Sequence, residues 1–493
     1  YDSDHVDIPA GINDTQVPSF AYRQGRYTWY YNYDEHAKLR ESRSLRNLSK
    51  YNGYGSATFS AAVHGFRDAV NAGVIPDYDY GGYDIGSPQP CYNNEEVIEA
   101  AKTYFLGQIE KKIASGYEIG KDITVVDVAQ LDSGSFCKCK TCINAIAKER
   151  SGVASVLYFT NEMADVIGEA YPGLWVSMFA YYGTSTPPAK TMPRDNVNVS
   201  YCFYNDIDKL TCGNHTLDGK NCTEHPDDSY GTSNYNYAAE FDRWCQIAKR
   251  ITVWYYPGNW ALNSITNSTI KTMLKDMRYF SDNGVYGIYP CCSNPKKETD
   301  WESIDALMLH LYNRLLWNAE MTEEEFQAEI DDYLYVLYGE GGKFVGDYYK
   351  WLETTDRIGC WPFMLGFGDP RKRIDFSKVH DEFELCLSMF DDAIKYAPSA
   401  KAEYGVRLAS RSMYVRGLIS VYHDWYENGN DAQKARYTEL WEYFRNLAVN
   451  SSYIFAGGKS AQLSDFDINE NIGALVDRLG DSPMREKEWW NWQ

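Results

Sequence analysis

The chain has 493 residues, too many for one ordinary globular domain, and its 44% hydrophobic content supplies a large core. A net charge of -21, from 69 Asp and Glu against 48 Lys and Arg, repels polyanions and excludes nucleic acid as a partner. No run approaches the roughly 20 apolar residues of a membrane helix, so a soluble protein without membrane insertion is expected.

In chain order, β-rich runs alternate with helical ones as far as about residue 320. The expected strands are Ser19 to Arg23, Thr58 to His64, Ile123 to Leu131, Trp175 to Tyr181, Val197 to Tyr204, Ile251 to Tyr256 and Val285 to Tyr289, with one more unseen near residues 75 to 90. Helices fit between them, Asn94 to Ala114 opening on Glu95 and Glu96, and Ala154 to Ala170 stopping before Tyr171-Pro172. Strand then helix, repeated, gives parallel strands with right-handed crossovers. The expected fold is a (β/α)8 TIM-type barrel over residues 1–320 followed by an all-helical domain over 321–493. A doubly wound sheet is the alternative, without the Gly-x-Gly-x-x-Gly of a nucleotide site. In the second part, Thr322 caps a helix with Phe326, Ile330, Tyr333, Leu334 and Leu337 on one face, and Val379, Phe383, Cys386, Leu387, Phe390 and Ile394 form another apolar stripe. Gly339, Gly341 and Gly342 read as a turn.

A barrel collects its chemistry where strands end. Asp132, at the end of the run Ile123 to Leu131, is the first residue to suspect, as acid or nucleophile. Arg23 and His64 are expected to orient hydroxyls, and Tyr181, Tyr182, Trp254, Tyr255, Asn259 and Trp260 to form a stacking and hydrogen-bonding wall, with core packing explaining Trp254 equally well. A carboxylate, a guanidinium, an imidazole and several rings around one mouth suit a sugar, whose hydroxyls need polar partners while its C–H face stacks on rings. The 42 Tyr and 14 Trp agree with this. Glycoside hydrolysis needs a second carboxyl group, for which Asp206, Asp208, Glu302, Asp77, Asp79 and Asp84 are candidates, although Thr299 and Glu302 also match a capping box. Asp127, inside the strand, is expected to pair in the interior.

Cys137-Lys-Cys139-Lys-Thr-Cys142 lies in a polar loop, and with Cys91 these thiols suit a structural zinc site or disulfides equally. No His pair stands near a strand end, so no catalytic metal or other cofactor is required. Cys212 and Cys222 read as a bridged loop. Twelve cysteines and Asn-X-Ser/Thr sequons at Asn198, Asn214 and Asn267 favour a secreted or extracytoplasmic protein, and without an initiator Met or signal peptide the chain is expected to start after processing.

Tyr22-Arg23, Cys91-Tyr-Asn-Asn94, Asp132 with the cysteine triplet, Ala180-Tyr181 through Pro187-Pro188, Asn196-Val197, Val253 to Tyr256, Gly284 to Gly287 and Leu315 to Asn318 carry a resemblance over roughly residues 18 to 355. The chain resembles an uncharacterised bacterial domain-of-unknown-function family found in secreted polysaccharide-utilisation proteins, similar to the barrels of α-glucuronidases and β-N-acetylhexosaminidases. That resemblance implies a glycosidase acting on an oligosaccharide or polysaccharide, with Asp132 at an acidic position and Arg23 holding hydroxyls. The chain departs from the pattern at Tyr255, where an acidic residue often follows the tryptophan, at Ser133, where an Asp-Glu pair is broken, and in lacking the small α/β domain that commonly precedes such barrels. The competing expectations are a non-catalytic carbohydrate-binding protein on the same scaffold and a metal-dependent hydrolase.

Overall fold

The computed structural model describes residues 17–23, 64–75, 89–134, 136–203, 217, 231–255, 268–290, 304–355, 374–449, 452–454 and 460–462. Its first part runs β1 (Tyr22–Arg23), α1 (Phe66–Asn71), α2 (Glu95–Ala114), β2 (Val125–Asp127), α3 (Lys140–Glu149), α4 (Ala154–Ala170), β3 (Trp175–Ala180), β4 (Val197–Cys202), α5 (Gly231–Ile247), β5 (Arg250–Tyr255), α6 (Ile270–Asp282), β6 (Gly287–Pro290) and α7 (Ile304–Trp317). Local chemistry accounts for several boundaries. Asn94 accepts from the Glu96 N–H to cap α2, with Glu95 and Glu96 in its first turn and Lys111 and Lys112 in its last.

All six strands are parallel, in the order β1-β6-β5-β4-β3-β2. This is an open half-barrel, and it corrects the expectation of a closed (β/α)8 barrel. Closure needs every strand paired on both sides, whereas among the described residues β1 pairs only with β6 and β2 only with β3. The expected strand Thr58 to His64 lies outside the described residues except for His64, which sits in a turn with φ 58°, a left-handed value that no strand holds.

Because side chains alternate along a strand, the register assigns each residue to a face. One face carries Val176, Val199, Tyr201, Val253, Tyr255 and Ile288 against the helices. There Tyr201 meets Phe241 of α5 at 5.3 Å, and Tyr255 meets Phe280 of α6 at 5.9 Å and stacks on Tyr312 of α7 at 6.0 Å. The other face carries Asp127, Ser177, Phe179, Asn198, Cys202, Thr252, Trp254 and Tyr289. A polar row crosses it, with the Asn198 amide donating to Ser177 Oγ at 3.2 Å and Thr252 Oγ1 at 3.0 Å. Asn198 is fully buried, so its sequon is part of the interior. Asp127 ends this row beside Ser177, where its Oδ1 accepts from the Ala129 N–H at 2.8 Å. Residue 65 crosses so close that a Cβ there would fall 1.9 Å from the Asp127 carbonyl oxygen, which leaves room only for glycine.

The remainder runs α8 (Glu323–Tyr338), α9 (Gly342–Thr355), α10 (Phe376–Asp381), α11 (Phe383–Lys395), α12 (Ala400–Ala409), α13 (Arg411–Val421) and α14 (Asp431–Val449). Thr322 and Glu325 cap α8 reciprocally, as a capping box. Gly339, with φ 58° and ψ -140°, makes the turn into α9, a conformation that a side chain would strain. The stripe from Val379 to Ile394 is divided between α10 and α11 at Glu382. Two strands, β7 (Ser452–Ile454) and β8 (Ser460–Gln462), form an antiparallel ribbon, so this part is not all-helical. Among the described residues no helix is long and apolar enough to cross a membrane.

Two buried carboxyl groups give opposite pH signatures. Burial of Glu149 works against its charge, but bonds from Thr191 N–H and hydroxyl, Tyr158 hydroxyl and Lys190 N–H prevail and hold its pKa at about 2. Its stabilisation is therefore present above the ordinary carboxylate range and lost as pH falls toward about 2. Glu149→Gln is expected to lower stability near neutrality by about 1 to 3 kcal/mol, with the difference closing in acid, as urea unfolding across pH would measure. Burial instead pushes Asp127 up to about 7, against the N–H groups of Ala129 and Gly65. The folded state then holds a proton that the unfolded chain releases, so stability falls as pH rises from 3.8 to about 7. Asp127→Asn should be at least as stable as the parent at neutral pH and should lack that decline in the same unfolding series.

Candidate functional site

Beyond β2 the chain stays extended beside β3, the Val128 N–H donating to Ser177 O at 3.0 Å, and turns outward at Asp132. Gln89 fixes that turn. Its amide nitrogen donates to Leu131 O at 2.5 Å and Ser133 O at 2.8 Å, and its amide oxygen accepts from Leu131 N–H at 3.1 Å and the Tyr92 hydroxyl at 2.8 Å. The backbone on both sides of Asp132 is thereby clamped by one buried side chain.

The Asp132 side chain is 33% exposed, against 8% for His64. Its Oδ1 accepts from the Tyr181 hydroxyl at 2.9 Å and stands 4.0 Å from His64 Nε2. His64 Nδ1 lies 2.6 Å from the Gln130 carbonyl oxygen, which only accepts, so Nδ1 carries the hydrogen of the neutral ring. Nε2 then turns its lone pair toward the carboxylate side. Burial lowers the His64 pKa, outweighing the Asp132 charge and the Gln130 bond, and keeps the ring neutral at physiological pH.

Aromatic rings floor this group. His64 lies 5.1 Å from Phe179 and 6.2 Å from Tyr181. Phe179 meets Trp254 edge-on at 5.6 Å, and Trp254 stacks on Tyr289 at 4.3 Å. The strand between Phe179 and Trp254 carries Ser200 opposite Phe179 and Cys202 opposite Trp254, both small enough to let rings from β3 and β5 touch. Burial, aided by the Asp132 charge, raises the Cys202 pKa well above its usual value and keeps it a thiol.

The structure thus brings Asp132, His64, Tyr181 and, through the rings, Trp254 together. Tyr255 does not join them, because the pleat turns it away into the core against Tyr312, fully buried. Arg23 pairs in register with Ile288 on the helix-bearing face, at the opposite edge of the sheet; it donates to Phe20 O at 2.6 Å and lies over the Trp317 ring at 5.3 Å. That placement sets it apart from Asp132, beside which it was expected to hold hydroxyls. Tyr182 opens a 3-10 turn, Tyr182–Thr184, and its side chain lies outside the described residues, as do Asn259, Trp260, the bridge candidates Cys212 and Cys222, and the second-carboxyl candidates Asp77, Asp79, Asp84, Asp206, Asp208 and Glu302. Gln89, Phe179, Cys202 and Tyr289 were not anticipated. Period-two alternation from Ser177 and from Asn198 could have placed Phe179 and Cys202 on the inner face; nothing in the sequence marks Gln89.

The four cysteines form a second constellation. Sγ atoms of Cys91, Cys137, Cys139 and Cys142 all lie within 4.8 Å of one another, Cys91 being 3.9 Å from Cys139 and 3.7 Å from Cys142. None of them is in a disulfide. The Cys142 N–H draws the Cys139 thiol down to about 7, while burial raises Cys91 and Cys137. A separate cleft of about 990 Å³ between α6, α8 and α9 touches none of the residues at the strand ends.

No curated protein matches the chain. The family described as Domain of unknown function (DUF4838) matches residues 2–350, and the chain belongs to that family.

Proposed function

We propose that this protein hydrolyses a glycosidic bond in an oligosaccharide or polysaccharide, with Asp132 as the reacting carboxylate. The supporting observation is a partly exposed carboxylate held by a tyrosine hydroxyl at 2.9 Å, beside a neutral histidine and above packed rings. The Tyr181 hydroxyl donates to Asp132, which suits an ionised group that attacks the anomeric carbon or activates water better than one delivering a proton from that oxygen. Hydrolysis by this route needs a partner carboxylic acid to protonate the leaving oxygen, and Asp206, Asp208 and Glu302 are the residues we assign to that search. His64 Nε2 offers an acceptor for a sugar hydroxyl or for the attacking water. An extracytoplasmic location fits a polymeric substrate. It rests on that argument and on composition, since Asn198 is buried and offers no sugar attachment in the fold.

Turnover of aryl glycosides and of plant and host glycans tests the reading. Asp132→Asn is expected to reduce kcat/KM by about 10² to 10⁴, as loss of an acid, base or nucleophile does. Equal turnover by parent and variant would remove Asp132 from the chemistry, and sugar binding without turnover in either would make the protein a carbohydrate-binding module. Tyr181→Phe should lower kcat about 10 to 100-fold, the worth of one hydrogen bond to a charged group, with little change in KM.

A further inference from the structure

The structure assigns Cys91, Cys137, Cys139 and Cys142 as the four thiolate ligands of a single structural zinc ion, which fastens the segment carrying Gln89 to the loop that follows Asp132. Geometry carries the assignment. Zinc–sulfur bonds of about 2.3 Å in a tetrahedron place sulfurs roughly 3.8 Å apart, and Cys91 Sγ stands 3.7 Å from Cys142 Sγ and 3.9 Å from Cys139 Sγ, with all four sulfurs inside 4.8 Å. Two disulfides would instead draw the sulfurs together in pairs, and a multi-iron cluster would hold them around a larger core.

The surroundings are those of a metal knuckle. Cys139 and Cys142 have the C-x2-C spacing common in zinc sites, at the start of α3. Cys139 is the N-cap of that helix and accepts from Cys142 N–H at 3.5 Å, and Cys142 accepts from the Asn93 side-chain amide at 3.3 Å. Such N–H···S bonds stabilise and orient metal-bound thiolates. Asn93 in turn donates to Ser155 Oγ of α4 at 2.6 Å, tying the cluster to a third element. Exposed Lys138 and Lys140 flank the thiolates and offset the two negative charges that remain when four of them bind one Zn²⁺. All four positions come from the protein, so the ion has no open position for substrate and acts by holding the chain.

What it holds follows from the chain path. Cys91 lies two residues beyond Gln89, whose side chain grips Leu131 and Ser133 on either side of Asp132. The ion closes the loop between Cys91 and Cys137, which contains α2, β2 and Asp132 itself. This assignment stands whether or not Asp132 hydrolyses anything.

The test uses the full chain, purified without a histidine tag, with zinc measured by elemental mass spectrometry. About one zinc per chain is expected, with at least a five-fold loss in Cys91→Ser and in Cys142→Ser. Should the variants be insoluble, the parent exchanged into Co²⁺ decides: intense visible absorption of a tetrahedral thiolate site is expected, and the spectrum of six-coordinate cobalt would overturn the assignment. Chelation of the parent should also lower its melting temperature by several degrees, reversed by zinc alone. Protein that is metal-free, that holds iron, or whose cysteines prove oxidised to disulfides on thiol titration in denaturant overturns it.

Discussion

A parallel ladder leaves its side chains no choice of face, and that constraint organises this protein. Once Val176, Val199 and Val253 are committed to the helices, their neighbours Ser177, Asn198 and Thr252 must turn the other way together. The buried polar row and the ring floor are both products of this one alternation. So are the separation of Trp254 from Tyr255 and the exile of Arg23 to the α7 side. Adjacent residues in one short strand serve a core and a candidate site, with no change of backbone direction between them.

The sequence carried much of the fold because local signals agreed with the final structure. Helix α4 ends where Tyr171-Pro172 dictates, α8 begins after its cap at Thr322, strands β3 and β5 fall within a residue of their apolar runs, and β4 starts with its run at Val197. Closure was not legible, because it depends on which edges meet, and β1 has only two residues to signal its place. The division at Glu382 was hidden for a related reason: the stripe from Val379 to Ile394 stays in phase across the break.

At the candidate site, Asp132 and His64 were legible as polar residues after apolar runs, and Tyr181 as the end of a strand. Tyr255 and Arg23 lie on the helix-bearing face because neighbouring residues at a strand end point to opposite sides, which strand-end position alone does not distinguish. Gln89 was invisible because its role is made of contacts to backbone atoms more than forty positions away, for which its neighbours in sequence offer no pattern. The cysteines were the reverse case: spacing brought three of them together with Cys91 as the expected fourth, and the fold places all four sulfurs within 4.8 Å of one another.

Asn198 shows how a short recognition signal and a fold can compete for one atom. Its amide nitrogen, the atom to which a glycan would be joined, is spent on Ser177 and Thr252 in the middle of the sheet. In a cell whose export machinery scans emerging chains for Asn-X-Ser, attachment there would come before the strands meet and would bar them from meeting. The choice of expression host therefore bears directly on whether this polypeptide reaches its native state.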